Sequence, residues 1–212
     1  MTRVYHRQLA FAAVLLSAAG SLAIAGEPAR YAIDPVHTRV LFEIDHAGFS
    51  KAIGTVAGSE GNLLFDADDW STARLDVTVP MQRLDMGDSN WSAAVFAPRF
   101  LDVKRYPQAR FVSTRVERLA DNRGTACGEL TLHGTTRPLC LRIKLNRIAR
   151  YPLPPFRRTA GFSATATLKR SEFGMIAWQS LVGDNIDLHI EAELTRDNHD
   201  VHGKSDAEPA SH

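Results

Sequence analysis

The 212-residue chain has two cysteines, and both lie in one short stretch, 127-CGELTLHGTTRPLC-140. Metal ligation, dithiol exchange and a structural disulfide are the chemistries open to such a pair. A metal would need further Cys or His at ligand spacing, and a redox site would need Cys-x-x-Cys; the stretch has neither. It reads instead as a hairpin. If His133 and Gly134 form a two-residue turn, Leu132 faces Thr135 and Cys127 faces Cys140. That pair falls at a non-hydrogen-bonded position, where side chains approach most closely. Pro138 then stands opposite Glu129, where its missing N–H costs no bond within the hairpin. This register predicts a cross-strand disulfide on one face, with Leu130, Leu132, Leu139 and Leu141 on the other. A longer loop at 133-HGTT-136 would shift the register and leave two thiols.

His37 and His46 flank a strand-like run in 34-DPVHTRVLFEIDHAG-48, each near an aspartate, Asp34 and Asp45. They could be polar groups at the rims of a binding site, or they could serve local turns, with Asp34 in an Asx turn. There is no HxH, HExxH, GxSxG, Walker loop or GxGxxG, so no catalytic residue and no metal ligand is assigned. Asp68, Asp69, Asp85 and Asp88 read as caps and turn formers. Trp70, Trp91 and Trp178 read as packing residues, although Trp91 and Trp178 stand in irregular segments where a ligand mouth could lie.

The elements that must position these groups are strands. Alternation puts Val40, Phe42 and Ile44 on one face of a strand, and Leu75, Val77 and Val79 on one face of another. It does the same for Phe162, Ala164, Ala166 and Leu168, and for Ile186, Leu188, Ile190, Ala192 and Leu194. Further runs at 31–34, 53–58, 61–66, 110–119, 126–132 and 139–145 bring the expectation to nine or ten short strands. The fold class is therefore all-β, a single antiparallel sheet that closes as a barrel. The inward residues are small or medium, which favours a cavity over a filled core. Between the strands, 88–101 reads as a helix capped by Asp88 or Ser89, with Pro98 ending its first part and Trp91, Val95 and Phe96 as its apolar stripe. Residues 146–161 read as a long loop carrying Arg147, Arg150, Arg157 and Arg158.

Hydrophobic residues make up 44% of the chain, charged residues 23%, and the formal net charge is +1. That balance argues against nucleic acid as a partner. Arg3 and Arg7 precede an apolar run that closes on Ala23-Ile24-Ala25, the pattern of a cleaved signal peptide over residues 1–25. An N-terminal membrane anchor is the alternative. Export to the periplasm is the expectation, and that compartment permits a disulfide. The barrel domain is expected over 27–195, and 196–212 reads as a disordered polar tail.

The order of several segments resembles the YceI-like family of exported polyisoprenoid-binding proteins. They are 31-YAIDPVHTRVLFEIDHAGFSKAIGTVAG-58, 100-FLDVKRYPQARFVSTRV-116, 128-GELTLHGTTRPLCL-141, 169-KRSEFGM-175 and 182-VGDNIDLHIEAEL-194. Where many members carry a charged Arg-Asp-x-His-Leu run, this chain has the apolar 90-NWSAAVFAPRF-100. The resemblance implies a lipocalin-like barrel with one or two short helices near its mouth. It also implies a ligand, a polyisoprenoid lipid or isoprenoid quinone, and no cofactor. Inward candidates for contact are Phe42, Ile44, Leu75, Val77, Leu130, Leu141 and Ile143, then Phe162, Ala164, Leu168, Ile186, Leu188 and Ile190. His46, Trp91, Phe96 and Trp178 are the mouth candidates. The expected function is carriage or sequestration of the lipid, not catalysis. Two alternatives stay open: an enzyme on a prenyl or quinone substrate with His37 or His46 as acid–base, and an accessory delivering a quinone to a membrane redox partner. A transient membrane contact and a homodimer are also left open.

Overall fold

Residues 27–197 are described by a computed structural model of the chain. In chain order the elements are β1 (Ala29–Ile33), β2 (Arg39–His46), β3 (Ser50–Ala57), β4 (Glu60–Phe65), β5 (Arg74–Pro80) and β6 (Leu84–Asp85). There follow α1 (Ser89–Phe96), β7 (Gln108–Ala120), β8 (Arg123–Leu132), β9 (Thr135–Arg150), β10 (Arg158–Lys169) and β11 (Val182–Arg196). Eight strands close a ring in the order β1-β4-β5-β7-β8-β9-β10-β11, with β11 returning to β1. Every pairing is antiparallel. The expected all-β single barrel is what the chain forms.

Two of the staves are kinked. β11 pairs with β2 along its first part and with β1 at its end, so β1 and β2 follow one line along the wall. β3 pairs with β2, and β4 with β1, so the next stave bends at the same level. The corners are tied together: Asp34 N donates to Glu193 O (2.9 Å), Thr38 N to Asp34 O (3.0 Å) and Gly58 N to Pro35 O (3.2 Å). These bonds replace the ladder that the kink interrupts.

The two ends of the barrel differ. At one end Trp70 is 2% exposed and meets the ring of Phe65 edge-on at 5.5 Å; Phe65 in turn meets Phe162 at 5.4 Å. Its indole N–H donates to Ala67 O, so the plug leaves no polar atom stranded. The other end carries the β2–β3 and β8–β9 turns, residues 81–107 and residues 170–181, and this is the mouth.

The β8–β9 hairpin has the expected register. His133 and Gly134 both take positive φ (50° and 73°), as a two-residue turn that matches strand twist requires. Leu132 faces Thr135, Glu129 faces Pro138, and Cys127 faces Cys140 with a disulfide between them. A side chain at Gly134 would also run into the ring of Tyr106.

Three expectations are corrected. The arginine-rich stretch 146–161 is mostly strand: β9 runs through Arg150 and β10 begins at Arg158, leaving residues 151–157 as the loop. The register shifts at Asn146, since Gly161 faces Arg147 while Phe162 faces Leu145. That bulge breaks the two-residue alternation which would have marked the strand. The helix is shorter than 88–101. Asp88 caps it, accepting from Trp91 N at 2.9 Å, and it stops at Phe96. Finally, β11 carries to Arg196, which pairs with Tyr31, one residue past the expected end. The signal-peptide segment and residues 198–212 of the tail lie outside the described residues.

Candidate functional site

Alternation has one consequence in a closed ring: one side chain in two points inward, and in this chain those side chains are apolar. They enclose a cavity of about 520 Å³ that opens at the mouth. The lining comes from every stave. β2 gives Val40, Phe42 and Ile44; β5 gives Leu75, Val77 and Val79; β8 and β9 give Leu130, Leu132, Leu139, Leu141 and Ile143. β10 gives Phe162, Ala164 and Leu168, and β11 gives Ile186, Leu188, Ile190, Ala192 and Leu194. Small residues make the space: a Cβ at Gly54 would overlap the ring of Phe42 and the sulfur of Met86.

The mouth is lined by His46, Ala47, Trp91, Ala94, Phe100, Trp178 and Leu181. The His46 and Trp91 rings lie 5.7 Å apart, and Phe100 meets Trp178 edge-on at 5.6 Å, with the Arg99 guanidinium 5.4 Å from the Trp178 centroid. Ala47 N donates to Leu181 O, joining the β2–β3 turn to the 174–181 loop. Around this opening Phe49 is 94% exposed, Ile176 62% and Trp178 54%, so the mouth presents apolar knobs to solvent.

All of the residues expected at the site line the cavity except Phe96. It packs against the core from the end of α1. Trp91, Ala94 and Val95 sit three and four residues apart on the helix face that meets the cavity. Phe96 is one further step round the helix, about 100° away. The two histidines are not brought together. His46 lies at the mouth, whereas His37 sits in the wall kink at the other end of β2. Asp34 accepts from Val36 N, His37 N and the His37 ring, closing an Asx turn. The Asp34 hydrogen bond raises the His37 pKa above its ordinary value. Among the described residues no group of three or more His, Cys, Asp or Glu is placed to hold a metal.

Several lining residues are illegible in the sequence. Met81, Leu84 and Met86 follow β5 without alternation, yet β6 pairs with β3 and turns them inward. Arg170 is 3% exposed and lines the mouth end of the cavity. Its guanidinium donates to the carbonyls of Gly183 (2.8 Å), Met175 (2.6 Å) and Val182 (2.9 Å), clamping the 174–183 segment. Burial pushes its pKa down, opposed by the charge of Asp184. Thr38 and Ser59 are the remaining polar additions, and both look like turn residues in sequence.

The match to known proteins decides the family, because a YceI-like domain covers residues 31–194. The chain belongs to the YceI-like family. A UPF0312 protein of Pseudomonas savastanoi pv. phaseolicola is 33% identical over 187 residues, covering 87% of this chain and 93% of its own. Among solved structures, Burkholderia cenocepacia BcnA superposes with a TM-score of 0.68 at 21% identity, over 76% of this chain and 98% of that one. A polyisoprenoid binding domain from Saccharophagus degradans, implicated in plant cell wall breakdown, gives a TM-score of 0.59 at 10% identity, over 81% and 100%. At those identities the two structures speak for the YceI-like barrel itself.

Proposed function

We propose that this YceI-like protein is an exported carrier that holds a polyisoprenoid, of the quinone-tail or polyprenyl phosphate type, inside its barrel. The supporting observation is the continuous apolar lining from Phe65 beside the plug to the open mouth. Each CH₂ group that passes from water into such a lining contributes about 0.8 kcal/mol. Several isoprene units therefore outweigh any single polar contact at the mouth. The Saccharophagus degradans neighbour, described as a polyisoprenoid binding domain, supports the same reading. Export is supported by the basic and apolar pattern of residues 1–25 and by the disulfide, which suits an oxidising compartment.

Loading takes place at a membrane surface in this reading. Phe49, Ile176 and Trp178 are exposed around the opening, so an inserted rim would pass a hydrocarbon tail into the cavity without exposing it to water. For the acid–base alternative, His37 is hydrogen-bonded to Asp34 and is not among the lining residues, while His46 lines the mouth without a carboxylate within ion-pair distance among the described residues.

Native mass spectrometry of protein purified from its own host, followed by lipid extraction, tests the proposal. The expected result is a bound prenyl lipid that survives transfer and is released by organic solvent. Protein that is lipid-free from the host, and that takes up no prenyl lipid in vitro, sinks it.

A further inference from the structure

The cavity has two polar regions at different levels, the mouth and the wall kink, and they differ in chemistry. Among the lining residues the charged or ionisable groups are His46 and Arg170, both at the mouth. The hydroxyls are Thr38 and Ser59, at the far ends of β2 and β3. The eight residues of β2 separate Thr38 from the mouth, roughly 26 Å of extended chain.

The two hydroxyls are not equivalent. Thr38 Oγ1 donates to Glu193 O and accepts from Glu193 N, both at 3.3 Å, so it stands in for the ladder at the wall kink. Ser59 Oγ has no hydrogen-bond partner among the described residues, although Ser59 is 1% exposed and lines the cavity. A buried hydroxyl without a partner is uncommon, because it has given up water for nothing. Its neighbours in the corner do not rescue it: Gly58 N is already spent on Pro35 O.

We propose that Ser59 is a polar subsite of the cavity at the wall kink and takes a neutral oxygen of the ligand, a carbonyl or a hydroxyl. This rests on the lipid-carrier reading and narrows it. A neutral oxygen is satisfied by one hydroxyl that can donate or accept. A phosphate at the same depth would be a buried charge without a counter-ion among the lining residues, since Arg170 and His46 stand at the mouth. The kink thus selects a prenylated quinone or a prenol over a prenyl phosphate, and it seats the oxygen below the mouth, level with the start of β4.

The test measures affinities of wild type, Ser59→Ala and Ser59→Cys for four probes of similar chain length: squalene, a prenol, a prenylated benzoquinone and a prenyl diphosphate. In wild type the quinone or the prenol binds more tightly than squalene and the diphosphate. Ser59→Ala weakens that preferred ligand about 3- to 10-fold, the range of one hydrogen bond, and leaves squalene unchanged. Ser59→Cys, with a weak donor of similar shape, falls between. For the quinone, the stretch of an isotope-labelled carbonyl lies lower in wild type than in Ser59→Ala, a shift that a packing role would not produce. If Ser59→Ala changes squalene as much as the oxygenated ligands, or changes none, the subsite is refuted while the carrier reading stands. If wild type binds no probe, the carrier reading fails and the subsite falls with it.

Discussion

Cys127 and Cys140 stand directly opposite each other across β8 and β9, with Cα atoms 4.0 Å apart and sulfurs bonded, on the outer face of the wall. Removing the bond should cost stability and spare the cavity. The loop it closes spans 13 residues in sequence, for which chain entropy predicts about 3 kcal/mol. Urea unfolding of Cys127→Ala/Cys140→Ala should show that loss with lipid affinity unchanged. A thiol count on protein purified without reductant should find none before reduction; two free thiols would refute the staple.

Leu188 points into the cavity and His189, the next residue, points out. Leu188→Glu places a carboxylate in an apolar space without a partner. Lipid binding should fall by on the order of 100-fold or more, the equivalent of about 2.7 kcal/mol. His189→Glu should bind as wild type does. Equal effects would mean that the inward face is not the binding face.

His46 contributes a rim contact beside Trp91 and has no carboxylate partner within ion-pair distance among the described residues. His46→Ala should therefore weaken lipid binding modestly, by less than about 10-fold, the scale of one hydrogen bond. An enzyme using this histidine would instead lose turnover while retaining affinity. Equilibrium binding beside a product assay separates the two.

Phe49 and Trp178 project from adjoining loops at the mouth. Burying each in a bilayer should contribute about 1.5–3 kcal/mol. Phe49→Ser/Trp178→Ser should co-sediment with phosphatidylcholine vesicles at least about 10-fold less than wild type, one decade per 1.4 kcal/mol. Undiminished association would place the membrane contact elsewhere or remove it.

The Arg110 guanidinium donates to both oxygens of Asp76 across β5 and β7, at 2.8 and 2.6 Å, and holds that carboxyl below its ordinary 3.8. A lowered folded pKa means that the pair stabilises the fold above pH 3.8 and stops doing so as pH falls through the folded value. Carboxyl NMR should place the Asp76 midpoint below 3.8, and Arg110→Met should return it towards that value. No movement on losing Arg110 would show that the ion pair does not form in solution.

The legible parts of this protein were the local ones. The His133–Gly134 turn fixed the β8–β9 register within 14 residues of chain, and with it the facing of the cysteines. Alternation named most of the cavity wall for the same reason: side-chain facing in a strand is decided by its neighbours two residues away. The pattern failed where a strand breaks its own period, at the Asn146 bulge in β9, and where strand is only two residues long, at β6. Phe96, a mouth candidate on the pattern of α1, packs against the core beside the cavity lining, because one residue of helix rotates a side chain by about 100°.

By itself, then, the sequence determined a barrel of antiparallel strands, which face of each strand is apolar, and one cross-linked hairpin. The tertiary structure decided depth. Whether a side chain lies at the mouth, the middle or the plugged end depends on how distant strands stagger against one another. β11 alone sets Val182 beside His46 and Leu194 beside Ile33. That stagger put Arg170 at the mouth end and Ser59 at the wall kink, and no local pattern encodes it, because the pairings that fix it join residues more than a hundred positions apart in the chain.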